Sequence, residues 1–251
     1  RFVAAFDTAN SGAEFQRADC APRASLGDGQ ITIADWVQAG RYAAGLDPIV
    51  PVGGPTAPSF VGAQSSVVRN RQENTGQPLS RAVRLLSGTT SALRIKTIFV
   101  LLDAVGDENA VSFGLQFDSS KWRLLSVTRE PDAAQALLQI AGAQQNDGRL
   151  GLALLLAPGQ AWNVGERRLA AINFVAIDSS VNGNVVETMP LAFSDQPLAR
   201  EVVDLNADAL GARFTVDGAE TAAVVSAANF AAGQLARESI AAVFNGSSQE
   251  F

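Results

Sequence analysis

The sequence predicts a mainly β protein, an antiparallel sandwich or jelly roll preceded by a small α-helical segment. Between residues 81 and 217, short β-rich runs recur between turn signals, which is typical of such sandwiches. Within them, Phe113, Leu115 and Phe117 alternate with Gly114 and Gln116, the period of a half-buried strand. Helix-like patterns are found mainly in residues 1–48, so the helical part is expected at the N-terminal side of the sandwich.

The composition narrows the class of function. The chain has 251 residues, 47% hydrophobic and 18% charged, and is long enough to bury a sizeable core. Its net charge of −6 gives no basic surface for neutralising phosphates, so we expect no nucleic-acid partner. Histidine is absent, which excludes Ser-His-Asp triads and histidine-ligated zinc or iron. We therefore expect a protein that is not an enzyme, and no apolar run is long enough to predict a membrane span.

Four regions follow one another along the chain. Residues 1–48 form the helical segment, and residues 49–80 form a Pro/Gly-rich and polar linker. Residues 81–217 form the sandwich. Residues 218–251 form an alanine-rich extension whose apolar runs have no evident partner in the sequence. We expect this extension to begin a further module or to add as a strand to a neighbouring subunit.

Seven runs of the sandwich region are predicted to be strands: 93–102, 110–117, 122–128, 149–156, 168–176, 185–193 and 212–216. Residues 131–143 differ, because their helix-forming composition, with Asp132 near the start, predicts a short helix at the edge of the sheet. Asn146, Asp147 and Gly148 predict a hairpin turn ahead of the 149–156 strand.

Residues 19–36 contain the second half of a calcium-binding loop. Such a loop has acidic side chains in its first half, glycine at position 6, a backbone carbonyl at position 7 and a carboxylate at position 12. With Gly29 at position 6, Asp28 falls at 5, the Gln30 carbonyl at 7, Thr32 at 9 and Asp35 at 12. Calcium requires several oxygen ligands at once, so this spacing predicts a Ca²⁺ site.

The first half of the loop departs from that pattern. Ala24 and Leu26 stand where positions 1 and 3 need side-chain oxygens. Asp19 is the nearest upstream carboxylate, and its use as a ligand requires an insertion of about five residues in the loop. The alternative is an Asp-Gly turn that Thr32 caps into a helix, with Asp19 and Asp28 solvated.

A second acidic cluster lies near the end of the sandwich. Asp204, Asn206 and Asp208 reproduce the opening of a calcium loop, which makes them weaker candidate ligands. Ala209 stands where glycine is needed, and Thr215 stands where a carboxylate would close the site. A polar loop between strands is therefore the favoured interpretation.

The helical segment also contains a short internal repeat. Residues 1–7 match residues 41–47 in register, sharing arginine, an aromatic residue, small residues and a final aspartate. The repeat predicts that residue 1 lies near the end of a helix equivalent to the one that follows the Asp28 loop.

These residues resemble a pair of bacterial module families. GDGQITIADWVQAGRYAAGLD, residues 27–47, is similar to the second calcium loop and helix of a dockerin, and the duplicated helix end matches the paired dockerin repeat. IFVLLDAVGDENAVSFGLQFD and GLALLLAPGQAWNVGERRLAAINFVAI resemble parts of a cohesin, a jelly-roll sandwich that binds dockerins. The resemblance implies a cohesin-like sandwich preceded by a dockerin-like segment, located outside a bacterial cell or on its surface.

The resemblance also implies partners. It predicts calcium-dependent, head-to-tail contacts with other copies of the chain, in filaments or a surface layer, or with a related cohesin or dockerin protein. The predicted contact residues are Ile33, Val37, Arg41 and Tyr42, which alternatively pack within their own segment against the helix that ends at Phe6. A second expectation is a carbohydrate-binding or scaffold module ancillary to a larger secreted enzyme, with the tryptophans forming a sugar platform.

Overall fold

The computed structural model describes residues 9–59, 81–90, 95–142, 144–177, 189–217, 223–226 and 241–244. The chain divides into two compact units, Arg1–Thr215 and Val216–Phe251. The first unit contains two helices and the two large sheets, and the second contains a pair of short strands. The repeat predicted at residues 1–7 lies outside the described residues.

The helices are α1 (Gly12–Ala18) and α2 (Ile33–Ala43). The strands are β1 (Ala82–Thr90), β2 (Ile95–Ala104), β3 (Glu108–Phe117), β4 (Trp122–Arg129), β5 (Leu137–Ala141), β6 (Arg149–Leu155), β7 (Gly165–Ala176), β8 (Leu191–Ser194), β9 (Glu201–Asp204), β10 (Ala209–Leu210), β11 (Arg213–Asp217), β12 (Ala223–Ser226) and β13 (Ala241–Phe244). Six of the seven predicted strands lie almost wholly among these, and β8 covers the described end of the seventh.

The large strands form two antiparallel sheets. The first sheet has the order β11-β1-β2-β7-β4, and the second has the order β10-β9-β3-β6-β5, with β8 also paired to β3. The inner faces of the sheets meet through alternating apolar side chains, such as Phe113 and Leu115 of β3 and Ile172 and Phe174 of β7, all fully buried. Phe117 contacts Phe174 across the layers at 5.0 Å between ring centroids. The predicted β-sandwich with a small N-terminal helical segment is confirmed.

The second sheet is buried on its outer face as well. Antiparallel sheets commonly leave one face in water, yet β3 is buried at every position except Gln116. Its outward residue Ala110 pairs with Leu155 of β6 and Val203 of β9, and all three belong to one cluster with Ile33 and Val37 of α2. Helix α2 is therefore a third layer, and the helical segment packs on the sandwich as part of the same unit.

Residues 131–143 do not form the predicted helix. A short 3-10 turn spans Pro131–Ala133, and Leu137–Ala141 is strand β5, paired with β6 from Leu137 opposite Leu155 to Ala141 opposite Gly151. The helix prediction was wrong because pairing along the edge of β6 outweighs the local helix propensity of these residues. The predicted turn between β5 and β6 is confirmed, with Gly148 in the left-handed region at φ 71°.

The first part of the predicted linker belongs to the N-terminal layer. Gln16 of α1 donates a side-chain hydrogen bond to the Gly54 carbonyl at 2.6 Å. The Ser59 amide donates to the Gly29 carbonyl at 2.8 Å. Residues 54 and 59 of the predicted linker thus contact α1 and the Asp28 loop. We call residues 9–59 the N-terminal segment.

The second unit changes one expectation about the C-terminal extension. Strands β12 and β13 pair antiparallel with each other, from Ala223 opposite Phe244 to Ser226 opposite Ala241. Strand donation to a neighbouring subunit was expected because these runs had no local partner, and each now has one. The rest of residues 218–251 lies outside the described residues.

Candidate functional site

Helix α2 is fixed at its start by its own sequence. Thr32 is the N-cap residue, and its side chain accepts a hydrogen bond from the Ala34 amide at 3.2 Å. The Asp35 carboxylate accepts from the Thr32 amide at 2.8 Å, which completes a capping box. The predicted helix after the Asp28 loop, with its Thr32 cap, is therefore present.

The apolar side of α2 packs on the outer face of the second sheet. Ile33 is 1% exposed and Val37 is 4% exposed, in a cluster with Ala34 and the partly buried Trp36. The receiving surface, which we call the docking face, comprises the outward residues Ala110, Ala153, Leu155, Glu201 and Val203. Its small residues let the helix approach the strands closely. Burial of Ile33 and Val37 contributes about 1.5–3 kcal/mol each to docking.

Arg41 holds the other end of the helix. Its Nη1 donates to the Leu205 carbonyl, just beyond β9, and its Nε donates to Asp47 Oδ2 at 2.7 Å. The bonds from Arg41 and then from Gln38 lower the pKa of Asp47 to about 2. Tyr42 is half-buried, and its hydroxyl has no hydrogen-bond partner among the described residues.

The predicted partner contacts are thus arranged around the chain's own sheet. Ile33 and Val37 lie under α2 on the docking face, and Arg41 reaches the sandwich through Leu205. They do not point to an open surface. Any second copy that uses these side chains must replace the contact that they make within the chain.

The predicted calcium loop is closed by backbone hydrogen bonds. Asp19 is fully buried and accepts from the Asp28 amide at 3.0 Å and the Gly29 amide at 2.7 Å. Burial raises the pKa of Asp19, against the lowering effect of these two amides. Gly29 has φ 88°, and a β carbon there would collide with Ser59 Oγ. The sharp turn at Gly29 is therefore one that glycine alone accommodates.

Asp35 joins the two ends of the loop. Its Oδ1 accepts from the amides of Cys20 at 2.6 Å and Ala21 at 2.8 Å, and its Oδ2 accepts from Thr32. Asp35 is 2% exposed, and burial raises its pKa to about 7 despite these three donors. The carboxylate acts here as an acceptor that connects the entry of the loop to the start of α2.

The carboxylates of the Asp28 loop are engaged by backbone amides. The atoms that could coordinate a metal are all oxygens, which suits calcium. Five backbone amides donate hydrogen bonds to the carboxylates of Asp19 and Asp35. Asp28 and Gln30 are exposed, and Asp28 Oδ1 accepts from the Gln30 amide at 2.9 Å. Among the residues that the structure describes, no three side chains of the metal-binding types come together.

The second acidic cluster forms a turn between β9 and β10. Asp204 Oδ1 accepts from the amides of Asn206 at 2.7 Å and Asp208 at 2.9 Å. This is a side-chain turn that aspartate favours, and it agrees with the polar loop preferred from the sequence.

Glu201 is a site residue that the sequence did not single out. It lies on β9 two residues before Val203, so both side chains are on the docking face. Burial raises the pKa of Glu201 to about 7, while Thr32 and the amides of Ala34 and Ile33 lower it. A glutamate in a short apolar strand ahead of the 204–208 cluster was the available signal, but only the tertiary fold places it beside α2.

Two of the three tryptophans are closed to a sugar. Trp122 is 2% exposed and Trp162 is 3% exposed, so neither presents an open ring face for stacking. Trp36 is partly buried beside the α2 cluster, so a platform built from all three rings is not present. No helix among the described residues is both long and apolar enough to cross a lipid bilayer.

Comparisons with known proteins give a structural likeness alone. No family model matches the chain, and no curated protein matches it. The sixth cohesin of scaffoldin B from Acetivibrio cellulolyticus, solved with a dockerin, is 14% identical, with TM-score 0.44 over 55% of this chain and 97% of that chain.

Two further solved structures give similar values. A cohesin–dockerin complex from Clostridium thermocellum is 11% identical, with TM-score 0.42 over 57% of this chain and 96% of that one. A non-cellulosomal cohesin from Archaeoglobus fulgidus is 9% identical, with TM-score 0.40 over 53% and 86%.

Proposed function

We propose that this chain is a non-catalytic protein-interaction module whose docking face binds an N-terminal segment, either its own or that of another copy. The observation that carries the proposal is the burial of Ile33 and Val37 of α2 on an apolar sheet face of the same chain. An apolar sheet face is more stable when another element packs on it and removes it from water. The N-terminal segment is the part of this chain that packs there.

Exchange between copies follows from the connection between the two parts. Residues 60–81 join Ser59 to β1, and 22 residues span at most about 75 Å when extended. A segment on such a connection can reach the docking face of a neighbouring copy. The contacts made there are the same as those made within one chain, so exchange costs little contact energy.

Exchange of this kind produces head-to-tail assembly. The segment of one copy occupies the face of the next, and such heterologous contacts generate rings or open filaments. A structural or adhesive role outside a bacterial cell or on its surface belongs to the same proposal. A related dockerin-like or cohesin-like chain that presents the same contact residues would be an equivalent partner.

A complementation experiment tests exchange. Val37→Asp places a carboxylate on the apolar side of α2 and releases that segment, leaving a free docking face. Ala153→Arg blocks the docking face of a second chain and leaves its segment free. Each variant alone should remain at 26.2 kDa by light scattering, and an equimolar mixture should form a heterodimer of twice that mass.

One control variant and one outcome decide how the result of the mixture is interpreted. Leu125→Asp changes an exposed apolar residue on β4, in the other sheet. A mixture of Leu125→Asp with Ala153→Arg should form no heterodimer, because the docking face of the Leu125→Asp chain stays covered. A mixture of Val37→Asp with Ala153→Arg that stays at monomer mass over the micromolar range would refute exchange and leave the docking as an intramolecular contact.

Calcium at the Asp28 loop stays a prediction from the sequence. The docking proposed here uses no metal, because the loop is closed by amide donors to Asp19 and Asp35. Titration calorimetry with CaCl₂ on chelator-treated protein tests the prediction. One ion bound per chain, lost on Asp28→Asn, would support a calcium site, and the absence of binding heat at millimolar calcium would refute it.

A further inference from the structure

The docking face carries a carboxylate at the position where α2 begins. Glu201 projects from β9 on the same side as Val203, opposite Ser112 of β3. A carboxylate in an apolar contact is costly unless it meets donors. Here α2 packs against β9, and the Glu201 Oε2 atom is buried with no hydrogen-bond partner among the described residues. Burial raises the pKa of Glu201, against the lowering effect of Thr32 and the amides of Ala34 and Ile33.

A carboxylate on this face favours contact with the start of a helix. The first amides of a helix have no partners within the helix and carry a partial positive charge. A helix laid in the opposite direction would instead bring its terminal carbonyl groups to Glu201, which repel a carboxylate. Glu201 therefore distinguishes between the two directions in which α2 could lie.

The other end of the helix is marked by the Leu205 carbonyl. Arg41 Nη1 donates to that oxygen. The eight residues from Ile33 to Arg41 rise about 12 Å along a helix. Leu205 is the first residue after β9, four residues after Glu201. The sandwich is therefore contacted by α2 at its arginine, eight residues after the first helical residue, as well as near its start.

We propose that Glu201 and the Leu205 carbonyl form a two-point recognition site that fixes the direction and register of the docked helix. The inference rests on the proposed function and names its partner more closely. The face accepts a helix with a hydroxyl cap opposite Glu201, apolar residues on the contact side and an arginine eight residues after its first position. A docked helix shifted along its axis by one turn, about 5.4 Å, would lose its contacts with both Glu201 and the Leu205 carbonyl. The occupant in trans is the N-terminal segment of a second copy, where residues 32–41 carry this pattern.

The complementation pair gives the test in trans. Glu201→Ala in the Val37→Asp chain, which supplies the free face, should weaken the heterodimer about tenfold, a typical loss for a helix-start contact. Arg41→Ala in the Ala153→Arg chain, which supplies the segment, should weaken it by a similar factor. Glu130→Ala in the first chain is the matched control, because the Glu130 side chain makes no cap hydrogen bond.

A double-mutant cycle separates recognition from simple destabilisation. Thr32→Ala in the segment weakens α2 by itself, but its effect on the heterodimer should shrink when Glu201→Ala is present, since the two groups act on each other. The fold-losses in heterodimer affinity caused by Arg41→Ala and Glu201→Ala should instead multiply, because the two residues act at opposite ends of the helix. Full independence of Thr32 and Glu201 would overturn the proposal, as would an unchanged affinity with Glu201→Ala.

A measurement within one chain keeps the inference separate from the proposed exchange. Amide hydrogen exchange of the otherwise wild-type chain should show α2 exchanging about tenfold faster with Glu201→Ala, while β3 amides keep their protection. If the mixture forms no heterodimer, exchange between copies fails and this measurement still decides the role of Glu201. Unchanged protection of α2 would overturn the recognition site.

Discussion

Replacing Asp35 tests how the N-terminal segment is held together. Asp35→Ala removes the acceptor for the amides of Cys20, Ala21 and Thr32 at a position that is 2% exposed. Each unpaired buried donor costs about 1–3 kcal/mol, and loss of the cap costs about 1 kcal/mol. Because one carboxylate serves all three amides and the loop can relax, we expect a loss of about 3 kcal/mol in the opening free energy of the segment.

Hydrogen exchange read by mass spectrometry measures that loss. A change of about 3 kcal/mol corresponds to about a hundredfold faster exchange of α2 amides. It should appear in chelator, because the hydrogen bonds need no metal, and β3 and β6 should keep their protection. Asp147→Ala, at an exposed position in the β5–β6 turn, is the control and should leave α2 unchanged. Unaltered protection of α2 in chelator would refute the structural role given to Asp35.

Three further predictions concern the same segment. Gly29→Ala should lower the unfolding midpoint of the segment by more than Gly45→Ala, because both glycines have positive φ but space is open only at Gly45; equal effects in urea would contradict the close packing at the loop. Burial, then Asp35 and Asp19, raises the pKa of Cys20 to about 12, so disulfide reagents at pH 8 should label it slowly until urea opens the segment; fast labelling of the native chain would contradict this. The pKa of Asp47 is lowered to about 2, so ionised Asp47 stabilises the folded segment above pH 3.8, and this stabilisation is lost as pH falls through 2. The free energies of unfolding of wild type and Asp47→Asn, measured in urea, should therefore become equal near pH 2. A difference that stays constant with pH would contradict this.

The sandwich was predictable because its strands carry their own signal. In β3, Phe113, Leu115 and Phe117 mark the inner face by alternation, and the Asp147-Gly148 turn marks the hairpin before β6. The start of α2 was equally visible, with Thr32 as its cap. Strand β5 was missed because its identity depends on the neighbouring edge of β6, which no local propensity encodes.

The site was only partly predictable. Ile33, Val37, Arg41 and Tyr42 were predicted to contact a partner chain, which stays a prediction. The contact of α2 with the chain's own sheet was not predicted, because the docking face is assembled from three strands distant in sequence. A signal was present in β6, where Leu152 and Leu154 alternate with Ala153 instead of a polar residue. Apolar residues on both faces of an antiparallel strand indicate that both faces are covered.

The most direct measurement is a cross-link between α2 and the edge of the docking face. A β carbon at Gly40 would lie 3.2 Å from Pro158 Cγ, so the two positions are direct neighbours across the contact. Gly40→Cys and Pro158→Cys in a Cys20→Ser chain should oxidise within single chains at low concentration. At high concentration, equal amounts of ¹⁴N and ¹⁵N chains should give covalent dimers and longer ladders joined by mixed-isotope links. Cross-links confined to single chains at every concentration would contradict exchange of the N-terminal segment between copies.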